Sequence, residues 1–224
     1  VKGQPGAKRV LEIAAAGGHN LLFLGPPGTG KSMLAQRMAT IMPTMSDDEA
    51  ISTAALYSII GQSIDLTNWR QRPFRNPHHT CSAVALVGGS SNPKPGEISL
   101  AHNGVLFLDE LPEFERKVLD SLREPMETGT VTISRAARQM EFPAQFQLIT
   151  ALNPSPTGSH TDKRATPDQV MRYLSRVSGP FIDRIDLQIE LPRLTSVELQ
   201  STKPEESSAQ VRARVEAAYY IQLK

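Results

Sequence analysis

The sequence has little cysteine, little net charge and no long hydrophobic run, and the first and the last of these each exclude a class of protein. Cys81 is the only cysteine among 224 residues, which excludes an internal disulfide and a cysteine-based zinc cluster and suits a reducing, cytosolic setting. The 24 basic and 23 acidic residues nearly cancel, so the overall charge gives no argument for a nucleic-acid partner. No run approaches the roughly 20 apolar residues that span a bilayer, and no basic-then-apolar leader is present. We therefore expect a soluble protein without a membrane partner.

The length and the two ends of the chain predict its domain organisation. A chain of 224 residues can form one large α/β domain, or one domain and a fragment of a second. It begins at Val1 without Met and ends at Lys224 inside a helical pattern, so we expect a piece of a longer protein. We place a core domain at 1–193, and a linker with the start of another helical unit at 194–224.

Residues 25–32, Gly-Pro-Pro-Gly-Thr-Gly-Lys-Ser, have the complete pattern of a phosphate-binding loop. An apolar run of strand length, 20–24, precedes them, and residues 32–39 follow at helical spacing. Glycines in the loop allow consecutive N–H groups and the start of the helix to face a polyphosphate. Lys31 supplies a cation for the outer phosphates, and Ser32 supplies a hydroxyl ligand for Mg²⁺. The predicted nucleotide-binding residues are Gly25, Pro26, Pro27, Gly28, Thr29, Gly30, Lys31, Ser32, Met33 and Asp109.

Two acidic residues, Asp109 and Glu110, follow the apolar run 105–108. A fully apolar run is typical of a central parallel strand that is covered on both faces. Because the carboxyl ends of parallel strands meet at one edge of the sheet, both acids should lie near the phosphate loop. We expect Asp109 to complete the Mg²⁺ shell and Glu110 to orient or deprotonate the attacking water. The alternative is that Glu110 only interacts with the start of the following helix.

Asn153 and Arg184 are two further candidates. Asn153 ends the predicted buried strand 146–152, where its amide could bridge the attacking water and the γ-phosphate; the alternative is a simple turn before Pro154. Arg184 could stabilise transition-state charge in a neighbouring subunit. Its alternative, which composition alone favours, is an ion pair with Asp183 or Asp186.

The remaining patterns complete an alternation of helices and strands. Ser46 and Glu49 form a capping box that begins a helix. The stretch 61–96 lacks periodicity, which is typical of a functional segment. Other predicted elements are a helix from 46 to about 60, an amphipathic helix over 114–126 that stops near Pro125 and Gly129, hairpin arms at 131–133 and 140–142, a helix from 166 to about 177, a more exposed strand at 185–190, and a helix at 208–224.

The residues alone leave two interpretations open for each of two clusters, one of histidines and one of arginines. His78 and His79, with His102 and Cys81, could suggest a metal site, but the spacing of His side chains needed on one face is absent. Arg135 and Arg138, on the predicted hairpin tip, could contact nucleic-acid phosphates, or could simply be solvated.

Taken together, these motifs resemble the AAA+ ATPases, and specifically their magnesium-chelatase-like branch. The resemblance is carried by the segments 17–32, 72–80, 95–114 and 178–186, and it covers nearly the whole chain. It implies a P-loop parallel sheet sandwiched by helices, with an insertion in helix 2 before Pro95 and a hairpin that precedes the sensor 1 strand.

The resemblance also implies roles and partners. Lys31 and Ser32 would belong to the Walker A motif, Asp109 and Glu110 to Walker B, Asn153 to sensor 1, and Arg184 would act as the finger in trans. The resemblance implies ATP and Mg²⁺ as ligands and a homohexameric ring in the bacterial cytoplasm. It also implies the activity of a branch-migration helicase in natural transformation, with branched or single-stranded DNA as its substrate. More distant relatives insert Mg²⁺ into protoporphyrin, but no tetrapyrrole is expected in the main interpretation. A nucleotide-controlled scaffold without turnover is a third alternative, and no residue of this chain matches the sensor 2 arginine.

Overall fold

A computed structural model describes residues 1–63, 66–89, 93–135, 138–158, 165–200 and 205–223 of the chain. Helices and strands alternate along most of it. The strands are β1 Leu21–Leu24, β2 Phe74–Arg75, β3 Val105–Leu108, β4 Thr130–Arg135, β5 Arg138–Pro143, β6 Gln147–Leu152 and β7 Leu187–Glu190. The helices are α1 Pro5–Gly17, α2 Lys31–Ile41, α3 Asp47–Ile59, α4 Ala83–Val87, α5 Glu97–Leu100, α6 Arg116–Asp120, α7 Arg123–Thr128, α8 Pro167–Leu174, α9 Gly179–Ile182, α10 Ser196–Gln200 and α11 Ser208–Gln222, with 3-10 turns at Leu66–Asn68 and Leu111–Glu113.

The core of the fold is a five-stranded sheet in the order β2-β3-β6-β1-β7, in which every pairing is parallel. Strands β3 and β6 are buried along their whole length, whereas exposure alternates along β7. The apolar run 105–108 and the predicted buried strand 146–152 are therefore central strands, and the alternating run is an edge strand, which confirms these predictions. The predicted α/β fold with a parallel sheet is confirmed.

Hydrophobic clusters cover the two faces of this sheet, since alternate residues of each strand point to opposite faces. Leu106 and Leu148 belong to one cluster, together with residues of α6 and of the hairpin. Phe23 and Phe107 belong to the other, with residues of α1, α2 and α11. The sheet is thus covered by hydrophobic residues on both faces.

Strands β4 and β5 form a separate antiparallel hairpin between β3 and β6 in the sequence. The predicted arms are confirmed, and Arg135 pairs with Arg138 at the end of the described ladder. Residues 136 and 137, at the predicted tip, lie outside the described residues.

One sequence prediction needs correction. The amphipathic helix expected over 114–126 is divided into α6 and α7, because Pro125 has no N–H to donate to the carbonyl of Ser121. Its expected stop is confirmed, since Gly129 ends α7 with a φ of 71°. The unpatterned stretch 61–96 contains a short helix, α4, capped by the Ser82 side chain. By contrast, the capping box of Ser46 and Glu49 is present as predicted.

Helix α11 packs against α1 and α2, and Val215 is buried in the cluster that these helices share with the sheet. Arg214 extends this contact through an ion pair with Glu12, 2.7 Å away. The division of the chain at 193 and 194 stays a prediction. Within the described residues, no helix combines the length and the apolar character that crossing a membrane requires.

His102 is an internal hydrogen-bonding residue. Its Nδ1 accepts from the backbone N–H of Gln145 at 3.1 Å, and its Nε2 lies 3.3 Å from the Ser52 hydroxyl. Burial lowers the pKa of His102 below the ordinary 6.5, and the Glu49 carboxylate only partly offsets this. Among the described residues, no group of three or more metal-ligating side chains occurs, and His102 belongs to none.

We expect the free energy of unfolding to fall as the pH drops below about 6.5. A lowered pKa in the folded state means that the unfolded chain binds the proton first, so the stability is fully present above the unfolded pKa and is lost below it. Thermal unfolding between pH 7.5 and 5 checks this. His102→Asn keeps an acceptor near Nδ1 but does not titrate, so its stability should depend less on pH; an equally steep dependence would contradict the assignment.

Candidate nucleotide-binding site

The phosphate loop joins β1 to α2 at the carboxyl edge of the sheet. Gly28 and Gly30 adopt φ values of 80° and 92°, which residues with a Cβ rarely take. At Gly25 a Cβ would lie 2.5 Å from the carbonyl oxygen of Leu191, so the loop can approach the end of β7 only with glycine there. The Thr29 hydroxyl donates to the Pro26 carbonyl at 3.0 Å and closes the loop.

Lys31 lies inside this loop, and its side chain is largely buried. Its Nζ donates to the carbonyl oxygens of Gly25 at 2.6 Å and Pro26 at 2.9 Å, and to Asn153 Oδ1 at 3.0 Å. Burial lowers the pKa of Lys31, while the negative charges of Asp109 and Glu110 act in the opposite direction. An anion of a nucleotide could replace the neutral carbonyls as the partner of this cation.

Ser32 and Asp109 meet directly, although they come from different elements. The Ser32 hydroxyl donates to Asp109 Oδ2 at 2.6 Å. A hydroxyl and a carboxylate are hard oxygen ligands, which Mg²⁺ prefers alongside water and phosphate. The two side chains predicted to hold Mg²⁺ therefore form a donor set that fits this ion.

Glu110 follows β3 in a left-handed conformation, with a φ of 52°. Such a conformation is uncommon for a residue with a Cβ and is often found at functional sites. Its backbone N–H donates to Asp109 Oδ1 at 2.9 Å, and its side chain is 52% exposed. The carboxylate is therefore accessible to water beside the predicted metal ligand.

The imidazole of His79 lies next to Glu110, with Nδ1 at 3.3 Å from Glu110 Oε2. The ring of His78 stacks on it at a centroid distance of 4.1 Å, and Phe114 meets it edge-on at 6.4 Å. Sequence reasoning noted both histidines but gave neither an acidic partner. The contact depends on β2 lying beside β3, which no local pattern predicts.

Asn153 lies between the loop and the acidic pair because β6 lies between β1 and β3. Sequence reasoning missed its neighbour Tyr173, a buried residue of α8. Burial, with a smaller contribution from the charge of Glu113, raises the pKa of Tyr173 to about 12. The Tyr173 hydroxyl is therefore protonated at neutral pH.

Arg184 lies at the amino ends of the strands, whereas the phosphate loop lies at their carboxyl ends. Leu187 pairs with Leu21 and Glu190 with Leu24 in parallel register, so the loop follows one end of these strands and Arg184 precedes the other. The intervening strands alone span roughly 13 Å. Within its own chain the guanidinium pairs with Glu127 and with the carbonyl of Pro180, and not with Asp183 or Asp186.

The other predicted residues are more peripheral. Met33, in the first turn of α2, is 51% exposed. Pro27 and Gly28 are exposed, and Pro26 is half-buried. Arg135 and Arg138 lie on the hairpin, away from the loop in sequence and in sheet membership.

We expect Lys31→Ala to weaken nucleotide binding by at least about tenfold, because a charged hydrogen-bond donor to phosphate is lost. Titration with a fluorescent ADP in the presence of Mg²⁺ measures this. Lys117→Ala, at an exposed position of α6, is the matched control and should bind as the wild type does. Unchanged affinity in a folded Lys31→Ala protein would contradict the role.

A parallel sheet with a glycine-rich phosphate loop after β1, an acidic pair after β3 and an amide after β6 defines a P-loop NTPase of the AAA+ class. Comparison with known sequences is consistent with this class. A family model described as "Magnesium chelatase, subunit ChlI" matches residues 1–199. The chain therefore belongs to the magnesium chelatase family.

Individual relatives are also similar to this chain. Competence protein ComM of Haemophilus influenzae is 60% identical over 225 residues, which cover 99% of this chain and 44% of that protein. YifB of Escherichia coli is 56% identical over 227 residues, covering 100% of this chain and 45% of that protein. The DNA replication licensing factor mcm6 of Dictyostelium discoideum is 24% identical over 178 residues, 79% of this chain and 17% of that protein. The chain thus spans less than half the length of the first two relatives.

Proposed function

We propose that this chain is the ATP-hydrolysing core of a ring-shaped protein that remodels DNA. The observation that carries the proposal is the convergence of Lys31, Ser32, Asp109 and Asn153 through direct hydrogen bonds, with the accessible carboxylate of Glu110 beside them. A nucleotide-dependent motor needs this set, because γ-phosphate hydrolysis requires positioning and charge neutralisation more than covalent chemistry.

Each side chain has a defined task in the proposed reaction. The loop amides and Lys31 bind the phosphates, and Lys31 exchanges its bonds to the loop carbonyls for bonds to phosphate oxygen. Ser32 and Asp109 would hold Mg²⁺, which neutralises phosphate charge when it is bound. Glu110 orients the attacking water and accepts its proton, and the Asn153 amide orients water against the γ-phosphate.

A homohexameric ring is proposed because Arg184 does not reach the loop of its own chain. An arginine at the amino ends of the strands can complete the site of a neighbouring subunit in a head-to-tail arrangement, and such an arrangement forms a ring when the rotation between subunits closes. In this assembly, the partners of Arg184 would change from Glu127 and Pro180 to a phosphate of the adjacent subunit.

DNA is the proposed substrate, and branch migration during natural transformation is the proposed activity. One relative is named a competence protein and another a DNA replication licensing factor. The backbone of the hairpin of β4 and β5 pairs Arg135 with Arg138, and basic residues are the ones that bind the phosphates of DNA. The proposed location, the bacterial cytoplasm, agrees with the low cysteine content.

ATP hydrolysis with and without branched DNA, over protein concentrations that span ring assembly, tests the proposal. We expect turnover to rise cooperatively with concentration and to be strongly stimulated by DNA. Reversing the charges of Arg135 and Arg138 should lower the affinity for DNA and make that affinity less dependent on the salt concentration. The rate of ATP hydrolysis without DNA should be unchanged. Unchanged DNA affinity in that variant would remove the hairpin from the proposal.

The ATPase subunit of a magnesium-chelatase-type complex is the second candidate function. It is favoured by the matching family model, whose description names a chelatase subunit. Turnover that DNA does not affect, but that partner subunits and a porphyrin stimulate, would favour this candidate. Nucleotide binding without any turnover, even at high concentration, would instead favour the scaffold alternative.

A further inference from the structure

The first residues of the chain form a bridge between the phosphate loop and the segment that follows β7. Gln4 is its central residue. The Gln4 Nε2 atom lies 3.3 Å from the Thr29 carbonyl oxygen and 2.8 Å from the Pro192 carbonyl oxygen. A single amide group therefore donates both to the nucleotide-binding loop and to the segment beyond the last strand.

The conformation of Gln4 indicates that this position is tightly specified. Its φ and ψ are 54° and 49°, in the left-handed region that a residue with a Cβ rarely occupies. The residue is also only 4% exposed, although a long amide side chain loses much conformational freedom when it is buried. Its side chain does not cap the helix that starts at Pro5. Helix capping therefore does not explain why a strained, buried glutamine lies here.

The contact with Thr29 has a direct consequence for phosphate binding. In a trans peptide, the C=O of one residue and the N–H of the next point in opposite directions. A donor that holds the Thr29 carbonyl on the Gln4 side therefore turns the Gly30 N–H to the other side of the same peptide plane. Gly30, with a φ of 92°, supplies the last loop amide before Lys31. Fixing this peptide prepares the loop for an anion before the anion arrives.

The other half of the bridge reaches the chain that leads to α11. A Cβ on Gly3 would lie 2.8 Å from a methyl carbon of Leu194, so the two segments are in close contact. The Lys2 ammonium donates to the Leu199 carbonyl at 3.2 Å, and the Gly3 N–H donates to Glu205 at 3.0 Å. Residues 192–200 are thus attached to residues 2–4, and one of these, Gln4, also contacts the phosphate loop.

We propose that Gln4 is a positioning residue that orients the Thr29–Gly30 peptide for phosphate and links occupancy of the loop to residues 192–200. The proposal rests on nucleotide binding at the loop, as in the proposed function, and adds a path from that site to the segment before α11. When phosphate binds the Gly30 N–H, the opposite carbonyl is fixed against Gln4. Because the same Nε2 atom donates to Pro192, ordering one partner orders the other.

Gln4→Leu tests the proposal, because leucine keeps an apolar side chain of similar length but has no donor. We expect MgADP to bind this variant about tenfold more weakly than the wild type, the effect of about one lost hydrogen bond. Gln36→Leu, at an exposed position of α2, is the matched control and should bind with wild-type affinity.

Amide hydrogen exchange provides the second measurement. In the wild type, saturating MgADP should slow exchange in residues 192–200 as well as in α2; in Gln4→Leu it should slow exchange in α2 alone. A merely structural role for Gln4 would change the thermal stability without removing this nucleotide-dependent protection.

The outcomes separate this proposal from the proposed function. Wild-type protein that does not bind MgADP would overturn both. If the wild type binds MgADP and a folded Gln4→Leu protein binds it with the same affinity, the positioning role alone is overturned. Should Gln4→Leu fail to fold, the wild-type exchange experiment still decides the link, since unprotected residues 192–200 at saturating MgADP would overturn it.

Discussion

Glu110→Gln is expected to bind ATP with near wild-type affinity and to hydrolyse it at least about 100-fold more slowly, the range for loss of a general base. Glutamine has the shape of glutamate but neither its charge nor its ability to accept a proton from water. The backbone at this position should be retained, since the N–H of residue 110 still donates to Asp109. The Ser32 and Asp109 pair is also left intact.

Steady-state phosphate release and equilibrium binding of a fluorescent nucleotide, measured on the same preparation, separate the two effects. Glu115→Gln is the matched control, because this exposed carboxylate lies at the start of α6 and contacts none of the site residues described above. The Glu110 side chain makes no capping hydrogen bond to the turn Leu111–Glu113, so equal turnover in Glu110→Gln and the wild type would show only that Glu110 is not the general base. Loss of ATP binding in Glu110→Gln would show that the charge of Glu110 contributes to binding ATP, and not only to the hydrolysis step.

Arg184→Ala is expected to lower turnover by about 1000-fold, the scale of an arginine finger, while nucleotide affinity changes little. The guanidinium lies at the sheet edge opposite to the loop of its own chain, so its removal leaves the bonds of Lys31 and Ser32 in place. Its intrasubunit ion pair with Glu127 could also matter for stability. Glu127→Gln removes that ion pair but keeps the arginine, and it should retain most of the activity.

Mixing experiments decide whether Arg184 acts in trans. Arg184→Ala and Glu110→Gln subunits should each be nearly inactive alone, because one lacks the finger and the other lacks the base. In a mixed ring, a Glu110→Gln subunit can donate its Arg184 to the intact site of an Arg184→Ala neighbour, and part of the activity should return. If no ratio of the two restores turnover while both still assemble, the trans role is wrong.

Much of the local structure could be predicted because its causes are local. The capping box of Ser46 and Glu49 was predictable, since both partners lie within one helical turn. The central strands were predictable because their apolar residues are continuous, and the edge strand because its residues alternate. The division of the helix expected over 114–126 was also a local effect of Pro125, but helical periodicity concealed it.

The sequence by itself determined the phosphate loop, the type of most elements and the identity of the candidate catalytic residues, because these depend on backbone geometry and on periodic burial within short segments. Only the tertiary structure decided which of them meet. Lys31 and Asn153 are 122 residues apart in sequence, and Ser32 and Asp109 are 77 apart. Their contacts exist because β6 lies between β1 and β3, and the separation of Arg184 from the loop exists because β7 lies beside β1 in parallel register. The lateral order of strands follows from burying both faces of the whole sheet at once, and so no single segment of the chain encodes it.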